Sequence, residues 1–184
     1  MTITISGDGL TIADITAVGF GESVQITKDA RVLGRVAASR EVIRSAIARN
    51  EQIYGVTTLY GAMADQYIGP ELLVEVQRLA LWHHKSATGP RLSEIDVRAA
   101  MLLRANSLLK GASGIRLEII ERYVTFLNAK ASPHVYQRGS IGASGDLAPL
   151  SYIAGAIMGL DRSFLVDFNG RCDHDKLVNW NWES

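Results

Sequence analysis

The residues best able to do chemistry lie in one run, Gly139-Ser140-Ile141-Gly142-Ala143-Ser144-Gly145-Asp146-Leu147-Ala148-Pro149-Leu150. Gly145 offers an unhindered backbone nitrogen and backbone angles closed to other residues. If a bend brings that nitrogen onto the carbonyl carbon of Ala143, a five-membered ring closes with loss of one water. Loss of a second water, taking the Ser144 hydroxyl, leaves an exocyclic methylene on a conjugated imidazolone. That methylene is an electrophile, a property no standard side chain offers. A helix beginning just beyond it favours negative charge developing there. Asp146 has two readings, as an aid to proton movement during ring closure or as a helix N-cap.

A bare Ala-Ser-Gly is a weak signal, and the chain holds a second, Ala112-Ser113-Gly114. That copy lacks the Asp-Leu-x-Pro-Leu continuation and falls between two helical stretches, so it reads as a helix junction. Among other chemically able residues, Tyr54 precedes a glycine, the pattern of a packed loop aromatic. As a base it would need its phenol shifted below the ordinary value of about 10. His83 and His84 sit together at a helix end, where a cation suits the dipole. His134 and His174 have no partner pattern for a metal. Asn106 and Arg104 read as structural residues on a helix, and Cys172 as inert.

The elements around these residues are mainly α. Ile3 and Ile5 alternate with polar residues ahead of a Gly7–Gly9 turn, giving a small strand and turn region. A short segment starts at Asp14 and reaches Gly19-Phe20-Gly21. Val32, Val36, Val42, Ile43, Ala46 and Ile47 recur at helical spacing between Thr27 and Asn50. Tyr54 to Gly61 has no such period and reads as a loop. A second helix runs from Pro70 to His84 with the stripe Leu72, Leu73, Val76, Leu79, Ala80. Ser93, with Asp96 three residues on, caps a third helix from Glu94 to Lys110. A fourth spans Ile115 to Ala129. Pro133 to Gly145 reads as a loop, and a last apolar helix runs from Leu147 to Gly159.

Composition sets outer limits. The chain has 184 residues, 47% of them hydrophobic and 21% charged, which fits one globular domain and not a disordered one. Its 19 basic and 19 acidic residues cancel, so nothing points to nucleic acid. No apolar run approaches the roughly 20 residues that span a bilayer. The single Cys172 excludes an internal disulfide and a cysteine-based zinc site. The opening MTITISGDGL lacks the features of a signal peptide, so a cytoplasmic, reducing setting is the default.

The Gly139–Leu150 run resembles the segment by which the histidine, phenylalanine and tyrosine ammonia-lyases and related aminomutases form methylidene-imidazolone (MIO). Tyr54-Gly55-Val56-Thr57-Thr58 is similar to that family's mobile tyrosine loop. Asp96–Ser107, Gly111–Glu118 and Gly159–Gly170 look like the cyanobacterial phenylalanine ammonia-lyases. The similarity covers residues 1–170 and leaves 171–184 as a divergent tail, which reads either as a frayed terminus or, through Trp180 and Trp182, as a docking surface. The fold this implies is the N-terminal part of the helical ammonia-lyase fold.

The resemblance also implies site residues. MIO would form from Ala143, Ser144 and Gly145, with Asp146 beside them and no metal. Tyr54 would remove a β-proton from the substrate, and Gly61 would lie at the substrate. An ungapped match of Trp82–Gly89 puts His83 at the substrate-ring position, with His84 where an aliphatic residue is usual. Histidine at that position favours tyrosine, since imidazole can pair with the phenol and an unpaired hydroxyl is costly. Phenylalanine comes next, and histidine is a weaker candidate. Leu59 replaces a glycine of the family's loop, and a positive φ there would strain it by roughly 1–2 kcal/mol.

The implied reaction is non-oxidative elimination of ammonia from an aromatic amino acid; re-addition at the β-carbon would make a 2,3-aminomutase of the same site. Family sites are assembled from several subunits of a tetramer, and family chains continue well beyond the forty or so residues that follow the motif here. The expectation is therefore a homo-oligomer or a complementary C-terminal chain that supplies the carboxylate-binding arginine. The competing expectation is a truncated, non-catalytic homologue acting in interaction or regulation.

Overall fold

The computed structural model describes residues 1–139, 141–142, 145–161 and 165–167. β1 (Thr2–Ile5) leads to α1 (Ile12–Gly19), β2 (Ser23–Ile26) and the long α2 (Ala30–Ala48). After the loop around Tyr54 come α3 (Leu73–His83), β3 (Thr88–Arg91), α4 (Glu94–Leu108) and α5 (Leu117–Asn128). Short strands β4 (Ala131–Pro133), β5 (Tyr136–Arg138), β6 (Ile141–Gly142) and β7 (Gly145–Asp146) precede α6 (Ala148–Ile157), and β8 (Leu165–Asp167) follows. The class is mainly α, as the sequence implied.

Local chemistry explains the helix starts. Thr11 and Asp14 form a reciprocal capping box on α1, the Thr11 hydroxyl accepting from Asp14 N–H at 3.2 Å and the carboxylate accepting from Thr11 N–H at 3.0 Å. The Thr11 hydroxyl and amide beside Asp14 hold its carboxyl below the usual range. Ser93 caps α4 as expected, its hydroxyl accepting from Asp96 N–H at 3.1 Å. Asp29 does the same for α2 through Arg31 N–H at 2.9 Å.

The core lies between α4, α5 and α6. Met101, Leu102, Ala105, Ile120, Phe126, Leu127, Ala156 and Ile157 are fully enclosed. Two asparagines fasten the N-terminal strands to it. Asn106 Oδ1 accepts from Gly7 N–H at 2.9 Å and Ser6 N–H at 3.2 Å, which confirms its structural role. Asn128 exchanges two hydrogen bonds with the Val24 backbone, at 2.8 and 2.9 Å. Arg122 donates from Nε to the Ile157 carbonyl at 3.1 Å and lies over the Phe126 ring, tying α5 to the end of α6.

Three sequence expectations change. Pro133 to Gly145 is not a plain loop: β4 pairs antiparallel with β8, β5 with β3, and β6 with β7. These strands are two to four residues long, too short to show alternation. β2 joins β1 in parallel, Ile3 opposite Val24 and Ile5 opposite Ile26. The α3 stripe is also shifted in phase. Leu72 and Leu79 are exposed, and Leu73, Val76, Gln77, Ala80, Leu81 and His84 make the half-buried face instead. Leu72 ends a 3₁₀ turn, Pro70–Leu72, whose tighter winding rotates it out of the α-helical register.

Candidate active site

Tyr54 stands on a loop that hydrogen-bonds mainly to itself. The buried Thr57 hydroxyl accepts from Ile53 N–H at 2.7 Å and donates to Glu51 C=O at 2.8 Å. The buried Thr58 hydroxyl accepts from Gly55 N–H at 3.2 Å and donates to Leu59 C=O at 3.0 Å. Ile68 N–H donates to Thr57 C=O at 2.8 Å and Leu59 N–H to Gln66 C=O at 3.1 Å, closing the loop at its base. The Tyr54 ring projects from this frame and is 65% exposed, meeting Tyr60 edge-on at 6.2 Å. Its phenolic oxygen accepts from Gly61 N–H at 3.1 Å. Tyr54 and Gly61, singled out separately by the sequence, are therefore brought together.

Leu59 carries no left-handed strain. Apart from glycine, only Asn50 and Lys130 have positive φ among the described residues. The left-handed turns of the loop fall at Gly55 (φ 69°) and Gly61 (φ 60°), so a side chain at 59 is accommodated.

The motif forms a hairpin. Ile141 pairs with Asp146 and Gly142 with Gly145 in antiparallel register. Ala143 and Ser144 lie outside the described residues. Gly145 has φ 88° and open space within 4 Å of where a Cβ would stand. Leu147 occupies the N-cap of α6 without a side-chain cap, so the N-cap reading of Asp146 is replaced by a strand position. Pro149 sits in the first turn, where its missing N–H removes no helical bond.

The two adjacent histidines differ. His83 is the last residue of α3 and exposed. His84 is half-buried, with Nδ1 2.6 Å from Ala80 C=O. A carbonyl only accepts, so Nδ1 carries the proton and a neutral ring offers Nε2 as acceptor. Next to them, Lys85 and Asp161 form a buried ion pair between the end of α3 and the end of α6, packed against Gly155. Burial lowers the Lys85 ammonium from its ordinary value. The Lys85 Nζ also lies 4.6 Å from the centre of the Trp82 ring. An open groove of about 540 Å³ lies between the loop and the start of α3, lined by Leu59, Met63, Tyr67, Leu72 and Val76 among others.

A family model described as aromatic amino acid lyase matches residues 10–174. The chain belongs to the aromatic amino acid lyase family. It is 63% identical over 171 residues to an aromatic ammonia-lyase of Loktanella atrilutea, covering 92% of this chain and 31% of that protein. It is 54% identical over 170 residues to the phenylalanine ammonia-lyase of Nostoc punctiforme, covering 92% and 30%. Its fold matches a tyrosine aminomutase from Streptomyces globisporus with a TM-score of 0.84 at 29% identity, over 97% of this chain and 33% of that one. The chain thus spans about a third of the length of the relatives it matches.

The hairpin of this aromatic amino acid lyase segment fits an internally formed MIO. Gly142 pairs with Gly145, and the left-handed Gly145 stands in open space with its nitrogen unencumbered by a side chain. Among the described residues no group of His, Cys, Asp and Glu could hold a metal. Nor is any described helix long and apolar enough to cross a membrane. The tail from 171 to 184, with Trp180 and Trp182, lies outside the described residues, as do His174 and Cys172. Sequence reading missed Gln77, Tyr60 and the Lys85–Asp161 pair. A polar Gln77 among Leu73, Val76 and Ala80 was the one available signal.

Proposed function

We propose that this chain provides the N-terminal third of a carbon-nitrogen lyase that eliminates ammonia from an aromatic amino acid, with tyrosine preferred and phenylalanine next. The observation that carries this is the antiparallel pairing of Ile141-Gly142 with Gly145-Asp146, on either side of the Ala143-Ser144 pair in the sequence and just before α6. MIO formed there from Ala143, Ser144 and Gly145 supplies an electrophilic methylene for the substrate amine. The α6 helix begins just beyond, at Ala148, and the positive end of its dipole favours negative charge there. Tyr54 accepts the substrate β-proton on its phenolic oxygen, which the Gly61 N–H holds in place. His83 pairs with the substrate phenol. Kinship with an aromatic ammonia-lyase and a phenylalanine ammonia-lyase supports the reaction class.

The exposed apolar residues of α3 and its loop, Met63, Leu72, Val74, Leu79 and Trp82, support assembly with further chain, either a complementary C-terminal polypeptide or other subunits of a homo-oligomer. That assembly supplies the carboxylate-binding group. Similarity to tyrosine aminomutases in fold favours one second reading, a 2,3-aminomutase on the same residues. The deciding experiment has two parts. Intact mass of the purified chain should fall short of the sequence mass by two waters. The assembled enzyme incubated with tyrosine should release ammonia and a coumarate-type acid; β-tyrosine as the main product selects the mutase. An unmodified mass together with no turnover sinks both readings and leaves a non-catalytic homologue.

A further inference from the structure

Gln77 reaches from the half-buried face of α3 to the tyrosine loop with both ends of its amide. Its Nε2 donates to Gly55 C=O at 2.8 Å, and its Oε1 accepts from the Tyr60 hydroxyl at 3.3 Å. Gly55 follows Tyr54 and Tyr60 precedes Gly61. The amide therefore grips the chain neighbours of the two residues joined by the Gly61-to-Tyr54 hydrogen bond. A planar amide has a fixed distance between donor and acceptor, so it sets the width of the loop at the point where the Tyr54 oxygen is held. Burial pushes the Tyr60 phenol up, which keeps it protonated and able to donate.

The rest of the loop gives this contact its meaning. The Thr57 and Thr58 hydroxyls and the pairing with residues 66–68 make the loop one unit and tie it through Glu51 and Asn50 to the end of α2, but none of these bonds reaches α3. Among the described residues, both hydrogen bonds from the loop to α3 end on Gln77. The same helix carries His83 six residues on, about 9 Å of helical rise away. Its C-terminal end is fastened to the end of α6 by Lys85 and Asp161.

We infer that Gln77 is a positioning residue that registers Tyr54 to α3, so that the proton-abstracting oxygen and the ring-recognising histidine are held by one rigid helix. This rests on the reading of Tyr54 as the base. Loss of the clamp frees the loop to shift relative to α3 and displaces the Tyr54 oxygen, and a misplacement of this kind costs roughly 10²-fold in rate.

Hydrogen exchange followed by mass spectrometry on this chain tests the anchoring without any turnover. In Gln77→Leu, exchange in a peptide covering residues 54–61 should quicken by about tenfold while the α4 and α5 peptides stay unchanged. Gln77→Glu keeps the acceptor for Tyr60 and loses the donor to Gly55, so it should fall between; it also serves if Gln77→Leu fails to fold. In the complete enzyme both variants should lower kcat with little change in KM, and raise the kinetic isotope effect on β-deuterated tyrosine. Unaltered exchange, or faster exchange with unaltered kcat and isotope effect, overturns the proposal. If Tyr54→Phe leaves elimination intact, the base assignment fails instead, and the exchange result still reports whether Gln77 anchors the loop.

Discussion

Ala112-Ser113-Gly114 and Ala143-Ser144-Gly145 are one tripeptide in two settings, and the settings differ at the glycine. Gly114 lies between α4 and α5 with its N–H donated to the Ser39 hydroxyl at 2.9 Å. A Cβ there would stand 2.3 Å from Ile43 Cγ1. Gly145 stands at the foot of a hairpin, paired with Gly142, in open space. Both are left-handed, with φ 61° and 88°. Positive φ is thus not what separates them. At Gly114 the nitrogen is already engaged and the glycine serves close packing against α2. At Gly145 it serves a chain reversal, and backbone chemistry at the turn has room to occur.

The sharpest way to break this comparison is to remove each serine in turn. Ser144→Ala should abolish the two-water mass deficit and all ammonia release by the assembled enzyme. Ser113→Ala, at an exposed position, should leave both unchanged and alter stability by no more than about 0.5 kcal/mol. A mass deficit that survives Ser144→Ala and vanishes in Ser113→Ala would reverse the assignment.

Tyr54→Phe separates cofactor formation from catalysis. The mass deficit should persist, because Tyr54 is distant in sequence from the hairpin and takes no part in the ring. Elimination should fall by roughly 10²–10⁴, measured as the initial rate of coumarate formation.

The glycines come next. Gly114→Ala drives a methyl into Ile43 at positive φ and should destabilise the chain by about 2–4 kcal/mol in urea unfolding, without touching the mass deficit. Gly145→Ala meets no atom within 4 Å. Its stability cost should be the smaller, about 1–2 kcal/mol from φ alone, yet ring closure should be slowed. Equal costs at the two sites would erase the packing contrast.

His83→Phe should move the preference from tyrosine toward phenylalanine by about 10–10² in kcat/KM, leaving the two-water mass deficit unaltered. The smallest effect lies beside the β3–β5 ladder, where His134 meets Arg91. Burial, helped by the neighbouring Arg91 charge, holds the His134 imidazole below its ordinary value. A value depressed on folding means that protonation favours the unfolded chain. Stability should therefore slip slightly as pH falls from about 6.5 toward the folded value, and His134→Gln should flatten that slope in urea titrations.

Much of the scaffold was legible because its signals are local. Ser93 with Asp96, the periodicity of Val32, Val36 and Ala46, and Pro70 ahead of α3 each depend on neighbours within a turn or two. The strands flanking the motif were not legible, since two to four residues carry no period and their partners lie up to 50 positions away, as in Arg91 opposite Tyr136 and Thr88 opposite Arg138. The phase of α3 was misread because a 3₁₀ turn displaced Leu72, and a helical wheel assumes unbroken α geometry.

The sequence by itself determined the family, through the long Gly139–Leu150 string, and nominated Tyr54, Gly61 and His83 as separate points. Tertiary structure decided how those points relate. It joined Gly61 to the Tyr54 oxygen, turned His84 onto the Ala80 carbonyl, cleared Leu59 of strain, and brought Gln77 and the Lys85–Asp161 pair to hold the loop and its helix. The reason is physical. Residue type and short spacing encode covalent chemistry and helix propensity, whereas hydrogen bonds between elements depend on which faces pack together, and packing is a property of the whole chain.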